Sequence, residues 1–168
     1  SYPNDANDNN GRDSLMSISS KDENYEFHIN QNGELYWWWQ NQNSASRSLT
    51  SSEQIPLNTW THVAISYKAG AQRMYINGQL KAYSSYNELP KQSSCDYFIG
   101  ADVATGSCSV IPERTFIGEL DEVRIYGRYL SQSEIEQDMN LLRQCGLVNG
   151  VDHYKIIHPQ TNLSCSAT

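Results

Sequence analysis

The sequence predicts an all-β sandwich that is followed by one short helix. Short segments alternate apolar and polar residues, the pairs Asn32-Gly33 and Asn77-Gly78 each separate two such segments, and the one helical pattern comes late, after Ser131. A period of two is typical of half-buried strands, and Asn-Gly is a strong hairpin signal. Strands joined by turns rather than by helices indicate packed antiparallel sheets.

The predicted strands follow one another from residue 15 to residue 126. The strongest covers 60–67, where Val63, Ile65 and Tyr67 share one face and small or polar residues occupy the other. A hairpin is predicted on each side of it, around Asn32-Gly33 and Asn77-Gly78. The other predicted strand segments are 15–18, 25–29, 35–39, 47–50, 73–76, 79–83, 97–99, 116–117 and 123–126.

The predicted helix begins after Ser131, whose hydroxyl can cap it while Glu134 returns a hydrogen bond to the Ser131 backbone. Its apolar stripe consists of Ile135, Met139 and Leu142, and Gly146 is placed to end it. We therefore expect a sandwich domain over 1–143. Residues 144–168 are expected to form a cysteine-bounded tail or the start of a following domain, with one more strand at 151–157.

Size and charge narrow the classes of partner. A length of 168 residues suits one domain, and a net charge of -7 with a pI near 5.0 disfavours nucleic acid, which requires clustered Lys and Arg. No apolar stretch approaches the roughly 20 residues that a membrane span requires, so we expect no membrane insertion. No signal peptide precedes Ser1, and the chain is therefore expected to be a processed or internal piece of an exported protein.

The four cysteines, Cys95, Cys108, Cys145 and Cys165, allow three disulfide connectivities. Pairing of sequence neighbours predicts Cys95 with Cys108 and Cys145 with Cys165. A zinc site is the alternative, but His153 and His158 flank Cys165 too loosely for one. Disulfides imply an oxidising compartment, which predicts an extracellular or cell-surface location.

The most unusual local feature is a run of four aromatic residues, Tyr36, Trp37, Trp38 and Trp39. If the Asn32-Gly33 turn has a two-residue loop, Tyr36 and Trp38 share a face with Phe27 and Ile29. If the loop has three residues, with Gly33 as the bulge residue, Trp37 and Trp39 take that face instead. Either way one aromatic pair lies on the opposite face, where it stacks on a sugar ring or is covered by a loop. All four residues are therefore candidates for ligand binding.

Calcium is the candidate cofactor. The N-terminal stretch offers oxygen ligands at nearly alternate positions, namely Asp5, Asn7, Asn9 and Asp13. The fit to an EF-hand loop is incomplete, because Gly11 is one position late and Met16 stands where the bidentate glutamate belongs. A solvated loop is the alternative. Asp102, between Cys95 and Cys108, is a further candidate for ligand or calcium binding.

Residues 58–140 carry a family resemblance. They contain NTWTHVAISYKAGAQRMYINGQLKAY, then FIG, then FIGELDEVRIYGRYLSQSEIEQDMN. These segments resemble the LamG-like jelly-roll family of the concanavalin A-like lectin/glucanase superfamily. The resemblance implies two antiparallel sheets packed face to face, an extracellular location, and binding of glycans or protein ligands, sometimes with calcium.

A narrower resemblance covers more of the chain. The segments SLMSISSKDENYEFHINQNGELYWWW and VDHYKIIHPQTNLSCSAT are similar to LamG-bearing proteins of the mannose-sensitive haemagglutinin (MSHA) pilus system. It implies a Gram-negative cell surface, a type IV pilus and a role in attachment. The family usually opens with one or two strands before the position of Ser1. We therefore expect one sheet edge to lack strands or to be completed in another way.

Glycosidases of the same superfamily carry a strand motif in which alternating carboxylates line the cleft. Here Glu119 and Asp121 supply the first half, but Val123 or Arg124 stands where the second glutamate must be. No acid is then placed to protonate the leaving oxygen, which predicts that the protein is not an enzyme. The leading hypothesis is a recognition or adhesion module for a glycan or surface protein, with pilus components as further candidate partners. The alternatives are a non-binding structural spacer and, third, a glycoside hydrolase.

Overall fold

A computed structural model of the chain describes residues 15–104, 106–111 and 114–144. These residues form ten strands and one helix. The elements are β1 (Leu15–Ser20), β2 (Glu26–Asn30), β3 (Glu34–Gln40), β4 (Ser46–Gln54), β5 (Val63–Lys68), β6 (Ala71–Ile76), β7 (Gln79–Ser84), β8 (Phe98–Ile99), β9 (Asp102–Val103), β10 (Val110–Ile111) and α1 (Gln132–Gln144).

The strands form two main antiparallel sheets. One has the order β4-β3-β2-β1-β8, the other has the order β5-β6-β7, and β9 pairs with β10 as a short ribbon. The predicted fold class, a concanavalin A-like all-β sandwich with one short helix, is confirmed. The helix α1, which is the one in the described part of the chain, is too short and too polar to cross a membrane.

The core lies between the two sheets and follows the period of two. Its buried side chains from β1 to β4 and from β6 form one cluster, which Val63, Ile65 and Tyr67 of β5 pack against, as their shared face predicts. The cluster members are Met16, Ile18, Phe27, Ile29, Leu35, Trp37, Trp39, Leu49, Met74 and Ile76.

The two Asn-Gly pairs form turns of different length. Asn77 and Gly78 are the two residues between β6 and β7, and both have positive φ, 49° and 76°, as a two-residue hairpin requires. Between β2 and β3 the loop has three residues, and Gly33 has φ of 79°. There the Asn30 Oδ1 accepts hydrogen bonds from the backbone N–H groups of Asn32 and Glu34. The three-residue alternative is therefore the one that the structure adopts.

The predicted helix cap is confirmed. The Ser131 N–H donates to Glu134 Oε2 at 2.8 Å, and the Glu134 N–H donates to Ser131 Oγ at 3.4 Å. Ile135 is buried, and a Cβ at Gly78 would lie 2.9 Å from Glu136 Cγ, so α1 packs against the β6–β7 turn. The Leu142 side chain, Gly146 and the predicted strand 151–157 lie outside the described residues.

The predictions of strands at 116–117 and 123–126, and of a strand start at Trp60, are wrong. β5 begins at Val63, and residues 115–130 are irregular. No backbone–backbone hydrogen bond joins residues 117–130 to any other described residue. The segment alternates apolar and polar residues, but among the described residues it has no partner strand to pair with, so it does not form a strand. Instead Arg124 donates to Glu122 and Asp138 through its side chain.

Candidate binding face on the five-stranded sheet

The register of β2, β3 and β4 separates two faces of the five-stranded sheet. Phe27 pairs with Trp37 and Ile29 with Leu35, and these residues face the core. The opposite side, which we call the outer face, carries the residues that alternate with these core-facing ones along each strand. They are Glu26 and His28 on β2, Tyr36 and Trp38 on β3, and Ser48 and Thr50 on β4.

The structure divides the aromatic run into a buried pair and an outward pair. Trp37 and Trp39 are 2% and 1% exposed, lie 4.5 Å apart between ring centroids, and meet the edge of Tyr67 in the core. Their predicted role as ligand-binding residues is therefore corrected, because neither indole reaches the surface. The physical reason is the three-residue turn, which sets Trp37 opposite Phe27.

Tyr36 and Trp38 form the outward aromatic pair, and both side chains are half-buried. The exposed hydroxyl residues Thr50 and Ser48 lie opposite them on β4. Burial raises the pKa of the Tyr36 hydroxyl, and a hydrogen bond with Ser48 opposes this rise. Aromatic side chains beside a few fixed polar groups are the usual lining of a ligand site.

A disulfide-bounded loop covers the part of the outer face next to this pair. Cys95 and Cys108 are bonded, with 5.3 Å between their Cα atoms, which confirms the predicted pairing. Cys145 and Cys165 lie outside the described residues. The loop includes β8, β9 and the residues between them, and β8 extends the sheet by pairing with β1.

Hydrogen bonds fix the loop to β1 and to the turn after it. The hydroxyls of Ser17 and Ser20 both donate to the Ala101 carbonyl, at 3.0 and 3.1 Å. The buried Asp22 carboxylate accepts from Ser93 Oγ at 3.0 Å and from the Gly106 N–H at 2.9 Å. The loop is therefore a fixed wall beside the aromatic pair.

Under this loop lies a buried cluster of four ionisable residues, Glu26, His28, Asp102 and Arg114. The Arg114 Nη1 donates to Asp102 Oδ2 at 2.6 Å, and the His28 Nε2 lies 3.2 Å from Glu26 Oε2 and 4.0 Å from Asp102 Oδ2. His28 and Asp102 are fully buried. Burial raises the pKa of the Glu26 carboxyl, and the hydrogen bond with His28 opposes this rise. Buried charges are tolerated where they are paired in this way.

The cluster has ligand types that a metal could use, since ligand atoms of Glu26, His28 and Asp102 lie within 4.8 Å of one another. Calcium prefers six to eight oxygen ligands, whereas this cluster combines two carboxylates with an imidazole. The guanidinium of Arg114 already supplies the cation that contacts Asp102. We therefore interpret the cluster as an ion-pair network that anchors the loop, and Asp102 as one of its buried members. The other candidate calcium ligands, Asp5, Asn7, Asn9 and Asp13, lie outside the described residues.

Sequence reasoning missed Glu26, His28 and Arg114. Glu26 and His28 alternate with Phe27 and Ile29, which is a signal that polar groups point away from the core. Nothing in the local pattern shows that these two polar side chains are themselves buried, because the residues that cover them come far later in the chain.

The near-miss glycosidase motif is not on a strand. Glu119 and Asp121 are exposed and lie in the irregular segment, and the Asp121 Oδ1 accepts a hydrogen bond from the Glu122 N–H at 2.8 Å. Strand alternation therefore does not set these carboxylates on one face of a cleft, as the glycosidase mechanism requires.

Comparison with known proteins identifies the family. The Laminin_G_3 family model, described as concanavalin A-like lectin/glucanases superfamily, matches residues 2–136. The chain belongs to this superfamily. No curated protein matches the chain significantly.

Among solved structures, a putative carbohydrate binding protein from Bacteroides ovatus is 20% identical over 74% of this chain and 36% of its own, with a TM-score of 0.59. A native heptameric SAP-like pentraxin from Limulus polyphemus is 16% identical over 73% of this chain and 62% of its own, with a TM-score of 0.54. The binding domain of Paraclostridial Mosquitocidal Protein 1 is 16% identical over 76% of this chain and 31% of its own, with a TM-score of 0.52. The chain thus spans less than two thirds of each, and the likeness shows the fold.

Proposed function

We propose that this domain is an extracellular recognition module that binds a glycan on the outer face of the five-stranded sheet. The observation that carries the proposal is the outward pair of Tyr36 and Trp38, left half-exposed on a sheet whose buried apolar side chains on β1 to β4 face the core. Two aromatic rings on one strand offer flat apolar surfaces of the kind on which sugar rings stack.

The surroundings of the pair favour a neutral sugar. The neighbouring β4 residues Ser46, Ser48 and Thr50 are exposed. Their hydroxyl groups can form hydrogen bonds with a sugar, and none of these side chains carries a charge. The disulfide-bounded loop supplies a fixed wall on the other side. The description of the Bacteroides ovatus structure as a putative carbohydrate binding protein adds support from a protein of the same fold.

We further propose that the domain works at the cell surface as part of a larger attachment protein. The Cys95–Cys108 disulfide supports an oxidising compartment. The resemblance of residues 14–39 and 151–168 to the pilus-associated protein MshQ of the MSHA system supports a Gram-negative pilus context. Pilus components are then candidate neighbours of this domain.

A glycan array that is screened with the full chain, once with calcium and once with a chelator, tests the proposal. Trp38→Ala is expected to weaken binding to the best glycan about tenfold, equal to about 1.4 kcal/mol. The matched control is Tyr83→Ala, because Tyr83 is a 70% exposed aromatic residue on the opposite sheet. Affinity is measured by calorimetry, and the melting temperature is measured alongside.

Three results would contradict the proposal. Equal losses of affinity and melting temperature in Trp38→Ala would give Trp38 a structural role. Equal effects of Trp38→Ala and Tyr83→Ala would place the ligand elsewhere. The absence of any glycan ligand would favour the spacer hypothesis, which the burial of Trp37 and Trp39 supports.

A further inference from the structure

Trp38 has a polar side chain on each side of it across the outer face. Glu26 on β2 and Ser48 on β4 lie directly opposite Trp38 on the two neighbouring strands. Side chains that are opposite each other on neighbouring antiparallel strands have Cβ atoms about 5 Å apart. A group that packs on the Trp38 indole therefore has a carboxyl group on one side and a hydroxyl group on the other.

The small exposed part of the Glu26 side chain lies toward β3, beside Trp38. Ser20, which is opposite Glu26 on β1, and His28, which is next to it on the same face of β2, are both fully buried. Trp38 is half-buried, and 10% of the Glu26 side-chain surface is exposed. A ligand on Trp38 therefore covers the part of Glu26 that solvent still reaches.

One oxygen of this carboxyl group is left for a ligand. Glu26 Oε2 lies 3.2 Å from His28 Nε2, and within the part of the chain that the structure describes His28 is the one hydrogen-bond partner of the carboxyl. An ionised carboxyl group acts only as an acceptor and has about four lone-pair sites. The Glu26 Oε1 can therefore accept a hydrogen bond from a donor that a ligand brings.

We propose that Glu26 determines which sugar this site binds, because its carboxylate accepts a hydrogen bond from a hydroxyl group of the ring that stacks on Trp38. This inference rests on the proposed function, since it concerns the same outer face. A stacked sugar ring presents its hydroxyl groups around its edge, where Glu26 and Ser48 lie. A site that hydrogen-bonds a ligand hydroxyl rejects the analogue that lacks it, because the buried acceptor is then left unpaired.

The same carboxylate disfavours acidic sugars. The neighbouring Asp102 carboxylate is paired with Arg114, so the Glu26 carboxylate is the charge that a ligand on Trp38 meets. A carboxylate anywhere on a single stacked ring lies within about one Debye length of Glu26, which is roughly 8 Å at physiological salt. The ligand class is therefore a neutral hexose, and the corresponding uronic acid is repelled.

The test uses the full chain and the methyl glycosides of glucose, galactose and mannose as probes. Binding is followed through the Trp38 indole N–H signal in NMR titrations, and that signal is assigned from its loss in Trp38→Ala. The probe that binds most tightly is then compared with its monodeoxy analogues, each of which lacks one hydroxyl group, and with its uronic acid. A mildly alkaline pH keeps the Glu26 carboxyl ionised, because burial raises its pKa.

Glu26→Gln is the test variant, and Glu34→Gln is its matched control. Glu34 is on β3 and on the same face, about 13 Å along the strand from Trp38, so the control removes the same charge at a distance. Glutamine has the size and shape of glutamate, and the melting temperature of each variant is measured alongside.

We expect one hydroxyl group to account for the contact with Glu26. Its removal from the probe should weaken binding to the unmodified protein about tenfold, and binding to Glu26→Gln no more than about threefold. The preference for the neutral probe over its uronic acid should fall about fivefold or more in Glu26→Gln. Both results for Glu34→Gln should match those for the unmodified protein.

Three results would overturn this inference while the proposed function stands. They are the same pattern of deoxy effects with and without Glu26, equal binding of neutral and acidic probes by the unmodified protein, and equal effects of the two glutamine variants. The second result requires no variant, so it decides the matter even if Glu26→Gln fails to fold. A Trp38 signal that responds to no probe would also overturn the inference, whereas the proposed function is tested separately by the glycan array.

Discussion

Arg114 and Asp102 form a buried ion pair, with 2.6 Å between Nη1 and Oδ2, which joins the disulfide-bounded loop to the residues after β10. Asp102 opens β9 opposite Ile111, and Arg114 follows the end of β10, so the pair closes the open end of that ribbon. Because Asp102 is also near His28 of β2, the same pair fixes the ribbon to the sheet. The position of the loop beside Tyr36 and Trp38 depends on this pair.

Arg114→Ala is expected to destabilise the protein by about 3 kcal/mol or more, because it leaves the Asp102 carboxylate buried without its partner. The measurement is urea unfolding at neutral pH. Arg114→Met with Asp102→Asn should recover much of the loss, since no unpaired charge is left. Arg128→Ala is the control, because Arg128 pairs with Glu134 at the surface and should cost no more than about 1 kcal/mol. Similar losses in both single variants would contradict the buried pair.

Glu26 is expected to make stability fall as pH rises. Its folded pKa is raised by burial, so the folded state holds the proton more tightly than the unfolded state does. The corresponding stability is present below the unfolded pKa, near 4.5, and is lost as pH rises through the raised folded pKa. Glu26→Gln removes this titration, so the difference in unfolding free energy between the two proteins should change sharply over this window. A difference that is constant with pH would refute the assignment.

Removal of the disulfide should loosen the loop more than the sandwich. Cys95→Ala with Cys108→Ala opens a loop of sequence separation 13, which is expected to cost about 3 kcal/mol. Hydrogen exchange should become faster around Gly106 while β2 and β3 stay protected. Reduction of the native protein serves as the control, since it should reproduce the effect without any substitution. Uniform loss of protection would mean that the bond supports the whole fold.

The helix cap should be sensitive to acid. Hydrogen bonds from the Ser131 backbone and hydroxyl, together with Arg128, lower the pKa of Glu134 to about 2. A depressed pKa gives stability that is present above the ordinary carboxyl range and is lost as pH falls toward about 2. Ser131→Ala should cost about 1 kcal/mol at neutral pH by thermal unfolding. Gln137→Ala, at an exposed helix position, should change stability far less, and an equal change would argue against the cap.

Local signals predicted those parts of the fold whose partners lie close in sequence. The cap of Ser131 and Glu134 and the turn at Asn77 and Gly78 each involve a few consecutive residues, and both are confirmed. A strand at 123–126 was predicted from the same kind of signal, and that prediction is wrong. A strand exists through its hydrogen-bonded neighbour, and alternation in one segment does not show whether that neighbour is present.

The candidate site was predictable only in part. Alternation established that one aromatic pair must face outward, but not which, because Asn32-Gly33 is compatible with two loop lengths. The choice between the two loop lengths depends on the Asn30 side chain, which accepts hydrogen bonds from the backbone N–H groups of Asn32 and Glu34. The ion cluster was not predictable, because Arg114 and His28 come to lie on either side of Asp102 only after the sandwich has formed.

The three-residue turn between Asn30 and Glu34 also constrains how this gene segment can change. Side chains alternate along β3, so deletion or insertion of one turn residue would bring Trp37 and Trp39 to solvent and send Tyr36 and Trp38 inward. Length changes of two residues would preserve the assignment of faces. Homologous sequences should therefore differ in this turn by even numbers of residues, and an odd difference should be accompanied by a compensating bulge within β2 or β3.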